Sequence, residues 1–571
     1  MEWFHSQDVV LCSGLKESYV KGDCTFPLLQ FSLGNALKRA AKKTPDNVAV
    51  IYADSDVHVT FSELSHQVKM LAKGLLAQGV TKGDVILVSC GHGTDFATLF
   101  YAIVSIGAVF LMPYMYEPQH ISLKQIINKV NAKMLIINER NTSLTEALKT
   151  IAPNMLVRSG SVNTFDHMPE VPSLCAVVVY GCNGDKGLRD IFAETSTTDK
   201  QLSVVQNMVS PEDPCIVFIS TGTTGEPKAV LHGHRSMVNT SYSLHHRRNA
   251  QGRVVLGIEN PLDDDVLSVM GIISATVNSD VTCVVTPVNK QCEGAISDVI
   301  VDAIEKYSIT HADLLPYMWK DMILHGSIDG HGLSRLKGGF TGSQALGVES
   351  VKSFTALVPE FMNVYGSTET SIVTANFKDD PLMERRLGSI GFPVARVEVK
   401  LIDDQHNVVP IGEPGELCTR SPFIFIEYMG EPERTRTVKD EDGWYRTGDV
   451  ARMDQNGFLY FIGRKADNIR FKKMGDVIYP GVIEAAALKH NKVAEAQCVG
   501  IKNDDDCIGD DVFLCIILKP GEDMKEDEME EHCQVELIKR DQPDHIFIMG
   551  AFPRVGIRKK VSKAKLREIC Q

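Results

Sequence analysis

The chain has 571 residues, 44% of them apolar and 23% charged, an ordinary globular composition that can bury a large core without disulfides. Against 59 basic residues stand 73 acidic ones, and the net charge of −14 argues against a nucleic-acid partner. Fourteen cysteines lack metal-ligand or small-disulfide spacing, which points to a reducing compartment.

Residues 1–20 carry Glu2, Asp8 and Glu17 but no arginine. They form neither a secretory signal nor a transit pattern. The last residues, Glu568-Ile569-Cys570-Gln571, are not a peroxisomal tripeptide, so a cytoplasmic location is expected. Residues 97–116 are uncharged over the length of a membrane span. Gly107 and Pro113 divide that stretch into a helix over 97–106 and a buried strand over 108–112, so no transmembrane segment is expected.

From residue 31 to about 288, helical stretches (33–43, 60–78) alternate with short apolar runs (85–89, 133–137, 176–179, 215–219, 281–285). The alternation resumes at 307–315 and 334–340. It predicts parallel sheets with helical crossovers. From about residue 397 the texture changes to short alternating runs at 397–402, 415–419, 451–453 and 457–462, separated by Asp, Asn, Gly and Pro turns. These predict antiparallel sheet, a distorted barrel. After Gly463 come a helix over 481–490, strands over 494–501 and 512–518, and a terminal helix over 563–570. The acidic stretches 503–506 and 522–531 read as solvated surface.

The segment Ser220-Thr221-Gly222-Thr223-Thr224-Gly225-Glu226-Pro227-Lys228 follows the apolar run 215–219. Two glycines and four hydroxyl residues free the backbone to wrap anionic oxygens, and Lys228 adds a charge. It is not a Walker A sequence. A Ser/Thr/Gly surface loop would share this composition. Here the chain resembles the adenylate-forming superfamily, that is, acyl-CoA synthetases, peptide-synthetase adenylation domains and beetle-type luciferases. It matches the signature [ST][ST]G[ST]TGxPKG except for Ala229 in place of the last glycine.

The resemblance continues in order. Gly338-Gly339-Phe340-Thr341-Gly342-Ser343-Gln344-Ala345-Leu346 is similar to the strand-loop beside the adenine, with Gly342 and Ser343 as ATP contacts. Tyr365-Gly366-Ser367-Thr368-Glu369 is similar to YGxTE; the resemblance implies that Tyr365 packs on adenine, Thr368 binds the α-phosphate and Glu369 holds Mg2+. Asp442-Gly443-Trp444-Tyr445-Arg446-Thr447-Gly448-Asp449 resembles DGWxxTGD, which gives Asp449 and then Arg464 to the ribose. Lys560-Val561-Ser562-Lys563-Ala564-Lys565-Leu566-Arg567 resembles the C-terminal lysine motif, with Lys560 as the catalytic lysine and Lys559 as its competitor.

The resemblance implies an α/β fold: a large N-terminal domain of stacked mixed sheets with helices plus a distorted β-barrel (1–463), and a small, mobile α+β C-terminal domain (464–571) turning on a hinge at Lys465 and Ala466. It implies ATP and Mg2+, and a small organic acid as partner. The acid is adenylated with release of pyrophosphate. CoA is the leading acceptor for the second step. O2, in a luciferase-type oxygenase, is the alternative. The resemblance specifies neither the acid nor an oligomeric state.

Four departures bear on the second step. Leu262-Asp263-Asp264-Asp265 stands where relatives carry an aromatic–His pair. The loop Ile469-Arg470-Phe471-Lys472-Lys473-Met474-Gly475-Asp476 keeps one glycine of a pair; Arg470, Lys472 and Gly475 are its candidate second-step residues. Ala466 occupies a hinge position usually held by Asp or Lys, and Lys559 replaces the glycine before the catalytic lysine.

Overall fold

The computed structural model describes residues 14–571 except 91–92, 113–121, 140, 152–157, 167, 182–186, 194, 222–226, 251, 259–265, 287–295, 326–332, 343–347, 379, 381–384, 386–387, 471–476, 503–509 and 556–559. The acidic segment 263–265, loop residues 471–476, acidic residues 503–506 and Lys559 therefore lie outside the described residues.

Two large sheets dominate. The first has eight strands in the order Glu427–Tyr428, Pro227–Gly233, Pro214–Thr221, Val109–Leu111, Val85–Ser89, Met134–Asn138, Ala176–Tyr180 and Ser161–Thr164. Its inner strands are parallel and its edges antiparallel. The second has nine strands, with a parallel centre running Glu360–Ser367, Gly338–Thr341, His311–Asp313, Val254–Ile258, Val281–Val285 and Val48–Tyr52. Strands buried on both faces read as continuous Val/Ile/Leu runs, which is why they were visible in sequence.

Helices fill the space between the sheets. Phe96–Ser105 is buried all round, as an apolar helix must be when layers cover every side. It ends at Gly107, whose φ of +77° turns the chain into strand Val109–Leu111. The uncharged stretch thus divides as expected. Among the described residues no helix is long and apolar enough to cross a membrane. Helix Phe61–Ala77 starts on a reciprocal cap, with Thr60 Oγ1 accepting from the Glu63 amide while the Glu63 carboxylate accepts from the Thr60 amide.

The resumed alternation resolves into helix ends and strands within single apolar runs. Residues 307–315 contain the end of helix Ile296–Tyr307, a left-handed Ser308 (φ 55°) and only then strand His311–Asp313. Residues 334–340 open with the 3-10 turn Leu333–Arg335 before strand Gly338–Thr341. In both, burial of the apolar residues is shared between a helix end and a strand, so the apolar pattern alone could not divide them.

The antiparallel sheet is five-stranded: Tyr19–Lys21, Glu398–Ile402, Gly415–Arg420, Tyr445–Met453 and Leu459–Arg464. Beyond Arg464, strands Val493–Lys502, Asp510–Leu518 and His545–Ile548 pack against helices Pro480–Ala487, Glu526–Glu536 and Lys563–Cys570. Two hydrophobic clusters there are built wholly from residues after Arg464.

Gly339 sits where a Cβ would lie 2.0 Å from the Ala312 carbonyl oxygen of the neighbouring strand. Gly339→Ala is expected to lower the unfolding free energy by roughly 1–3 kcal/mol, because backbone must move. Gly550→Ala, at a site open to 4 Å, is expected to change it by less than about 0.5 kcal/mol. Paired thermal or urea unfolding checks both.

Candidate active site

The phosphate-loop candidate is flanked by two strands that pair with each other. Strand Pro214–Thr221 extends past the predicted 215–219, and the chain returns antiparallel as Pro227–Gly233 with Lys228 opposite Ser220. Ser220 and Thr221 therefore lie on a strand. Helix His234–Arg248 begins only after the second strand. Gly222, Thr223, Thr224 and Gly225 lie outside the described residues, and Thr221 is described by its backbone alone.

The Tyr365–Glu369 motif ends strand Glu360–Ser367 and turns into strand Ser371–Ala375. Gly366 is required there, since a Cβ would fall 1.8 Å from the Ser371 carbonyl oxygen. Ser367 and Thr370 tie the turn: the Ser367 amide donates to Thr370 Oγ1 (2.9 Å), and the Thr370 amide donates to Ser367 Oγ (3.3 Å). Thr368 is half-buried at the turn and Glu369 is buried.

Two polar clusters result. In the first, Lys228 Nζ stands 3.6 Å from Glu369 Oε1. The Tyr428 hydroxyl donates to the same oxygen at 2.7 Å, and the Lys228 ammonium lies 5.0 Å from the Tyr428 ring centroid. Burial, and then the Glu369 charge, push the Tyr428 phenol well above its ordinary value, so it stays a donor. In the second, Tyr365 donates to Asp449 Oδ2 at 2.6 Å, and Arg464 Nε pairs with Asp449 Oδ1 at 2.9 Å. Asp449 and Arg464 are register partners on adjacent strands, so sheet pairing itself brings them together. Burial, then Asp449, raises the Tyr365 phenol in the same way.

Of the remaining candidates, Gly342 follows strand Gly338–Thr341, whereas Ser343 lies outside the described residues. Lys465 forms 2.9 Å ion pairs with both Asp404 and Glu416, and Ala466 sits exposed in the turn Lys465–Asp467. Arg470 pairs with Asp510 at 2.9 Å, so its charge is balanced within the C-terminal region; Lys472 and Gly475 lie outside the described residues. Lys560 pairs through its backbone with Val555 in a two-stranded ribbon, and its side chain is outside the description.

Sequence reasoning missed Tyr428 and His232. Strand alternation was the available signal. Residues 228, 230 and 232 share one face, and Val230 on that face packs with Phe425 and Tyr428.

A sequence profile for AMP-binding enzymes matches residues 37–429. The chain belongs to that family. It is an adenylate-forming ligase. It is 28% identical to the mitochondrial medium-chain acyl-CoA ligase ACSF2 of Macaca fascicularis, over 96% of this chain and 89% of that protein. It is 25% identical to the putative acyl-CoA synthetase YngI of Bacillus subtilis, over 95% of this chain and 97% of that one. The crystal structure of the anthranilate CoA ligase AuaEII in complex with anthranoyl-AMP superposes with a TM-score of 0.75, covering 95% of this chain and 98% of that one at 21% identity. That likeness is one of fold, with a large N-terminal and a small C-terminal domain.

Within this ligase the Tyr428–Glu369 hydrogen bond is charge-assisted and buried. Tyr428→Phe is expected to cost roughly 1.5–3 kcal/mol of unfolding free energy by urea denaturation. A loss under about 0.5 kcal/mol would mean that Glu369 is held by other groups.

Proposed function

We propose that this enzyme adenylates a small carboxylic acid with ATP and then transfers the acyl group to CoA. The observation that carries the reading is the separation of two polar clusters, one suited to a polyphosphate and one to a ribose. Lys228, beside Ser220 and Thr221, would balance the charge of the departing pyrophosphate. Asp449 would accept the paired ribose hydroxyls, with Arg464 beside it. Tyr365 would pack on the adenine, next to Gly342 and Ser343. Thr368 would hold the α-phosphate.

In the first step a carboxylate oxygen attacks the α-phosphorus, the bond to pyrophosphate breaks, and an acyl-AMP forms. Lys560 would stabilise the charge on the reacting phosphate. The oxygen donors of Glu369 and its hydroxyl neighbours fit Mg2+, which when bound supplies positive charge against the phosphates. In the second step the CoA sulfur attacks the acyl carbon and AMP leaves. The unit after Arg464, with its own cores, would turn at Lys465 and Ala466 between the steps. Arg470, Lys472 and Gly475 would then line the thiol's path.

Medium-chain aliphatic acids are the first substrates to test, given the name of the ACSF2 relatives. A reducing compartment suits the chain, whose ten described cysteines are free thiols.

The test is pyrophosphate release across a carboxylate panel, with and without CoA, and thioester detection by mass spectrometry. Acid-dependent pyrophosphate and CoA-dependent thioester are expected. Pyrophosphate without thioester at any acid would remove CoA from the account. Lys560→Ala should slow adenylation on the order of 100-fold or more, the scale of one lost oxyanion-type contact. Lys559→Ala should have far less effect, and the reverse ranking would move the catalytic role to Lys559.

A further inference from the structure

One buried imidazole ties the two halves of the phosphate site together. His232 is fully buried at the end of strand Pro227–Gly233, four residues after Lys228 and on the same strand face. The pairing with strand Pro214–Thr221 slips between His232 and Gly233, and such a bulge re-aims a side chain. Nε2 stands 2.7 Å from the backbone carbonyl oxygen of Thr368. A carbonyl only accepts, so Nε2 carries the hydrogen and donates. Nδ1 lies 3.0 Å from Ser236 Oγ, whose one hydrogen is shared between Nδ1 and the Phe423 carbonyl oxygen. The Phe218 ring packs edge-on at 5.8 Å. The ring is thus fixed on three sides.

Strand and turn meet twice. Lys228 faces the Glu369 carboxylate, and His232 grips the carbonyl one residue earlier. Two contact points along one strand set both the distance and the rotation of the turn; Lys228 alone would set only the distance. Phe425 completes the clamp from the other side, its amide donating to the Glu369 carbonyl oxygen at 2.8 Å.

We infer that His232 is a positioning residue, which holds the Thr368–Glu369 turn against the phosphate-loop strand so that Thr368, Glu369 and Lys228 face one polyphosphate. It touches no substrate itself. The inference rests on the adenylation reading.

Two isosteric substitutions separate the roles of the ring nitrogens. His232→Gln can place an amide donor where Nε2 stands and keep the Thr368 bond. His232→Asn reaches only the Nδ1 position and loses it. Acid-dependent ATP–pyrophosphate exchange and the melting shift produced by Mg-ATP are measured for wild type and both variants. His232→Asn is expected to lose about tenfold in exchange kcat, the scale of one hydrogen bond to a turn that must be aligned, with the KM for the acid within about twofold. Its nucleotide-induced melting shift should shrink. His232→Gln should recover most of both.

Equal losses in Gln and Asn would overturn the inference, because packing volume alone would then explain the site. So would an Asn variant with wild-type exchange and wild-type melting shift. If wild type binds Mg-ATP but exchanges with no acid, the adenylation reading fails on its own, and the melting shifts still decide whether His232 sets the nucleotide site. A wild type with no nucleotide shift overturns both.

Discussion

The candidate site is organised around one largely sequestered charge pair. Lys228 and Glu369 come from different sheets and meet at 3.6 Å, with side-chain exposures of only 21% and 9%. At an effective dielectric near 20, such a pair gains about 4 kcal/mol of Coulomb energy, much of it offset by desolvation. The protein's remaining effort goes into geometry. Tyr428 fixes the carboxylate, and its own short strand is paired to the Lys228 strand at Val230 and Leu231. Gly366 allows the turn to close, and strand pairing sets Asp449 opposite Arg464 at the other pole.

Much of this was legible beforehand. The doubly buried strands announced themselves as apolar runs, and the helices as periodic stretches, because layered burial imposes those patterns. Motif order singled out the candidate residues, of which the described ones Lys228 and Glu369, and Tyr365, Asp449 and Arg464, meet in two clusters. Two things were hidden for physical reasons. The phosphate loop read as a strand followed by a loop, but its flanks pair with each other as an antiparallel hairpin, a non-local fact that glycine and hydroxyl content does not encode. Tyr428 lies 59 residues from the carboxylate it orients, and His232 lies 136 from the carbonyl it grips. Strand alternation puts His232 on the Lys228 face, but no local pattern tells which distant group either residue meets. At 307–315 and 334–340 the alternation was legible but not its internal boundaries, since helix end and strand share one apolar signal.

Ion pairs flank Arg464 on both sides. Lys465 is held by Asp404 and Glu416, and Arg470 by Asp510, so the charges flanking the Arg464 boundary are balanced in the arrangement seen here. A turn about Lys465 and Ala466 would have to break the first pair of contacts. The exposed Lys465–Asp404 pair costs about 0–1 kcal/mol to break, whereas Glu416 is largely buried.

The central claim is that a carboxylate oxygen attacks the α-phosphorus of ATP at this site. It is tested most directly by supplying the acid with 18O in its carboxyl group, with ATP and CoA, and weighing the products. Attack at the α-phosphorus makes the carboxylate oxygen the bridge of the acyl-AMP, so cleavage by the thiol must leave one 18O in AMP. AMP carrying one 18O, with unlabelled pyrophosphate, is the predicted result. Label in ADP or orthophosphate, or AMP free of label while thioester accumulates, would contradict the account.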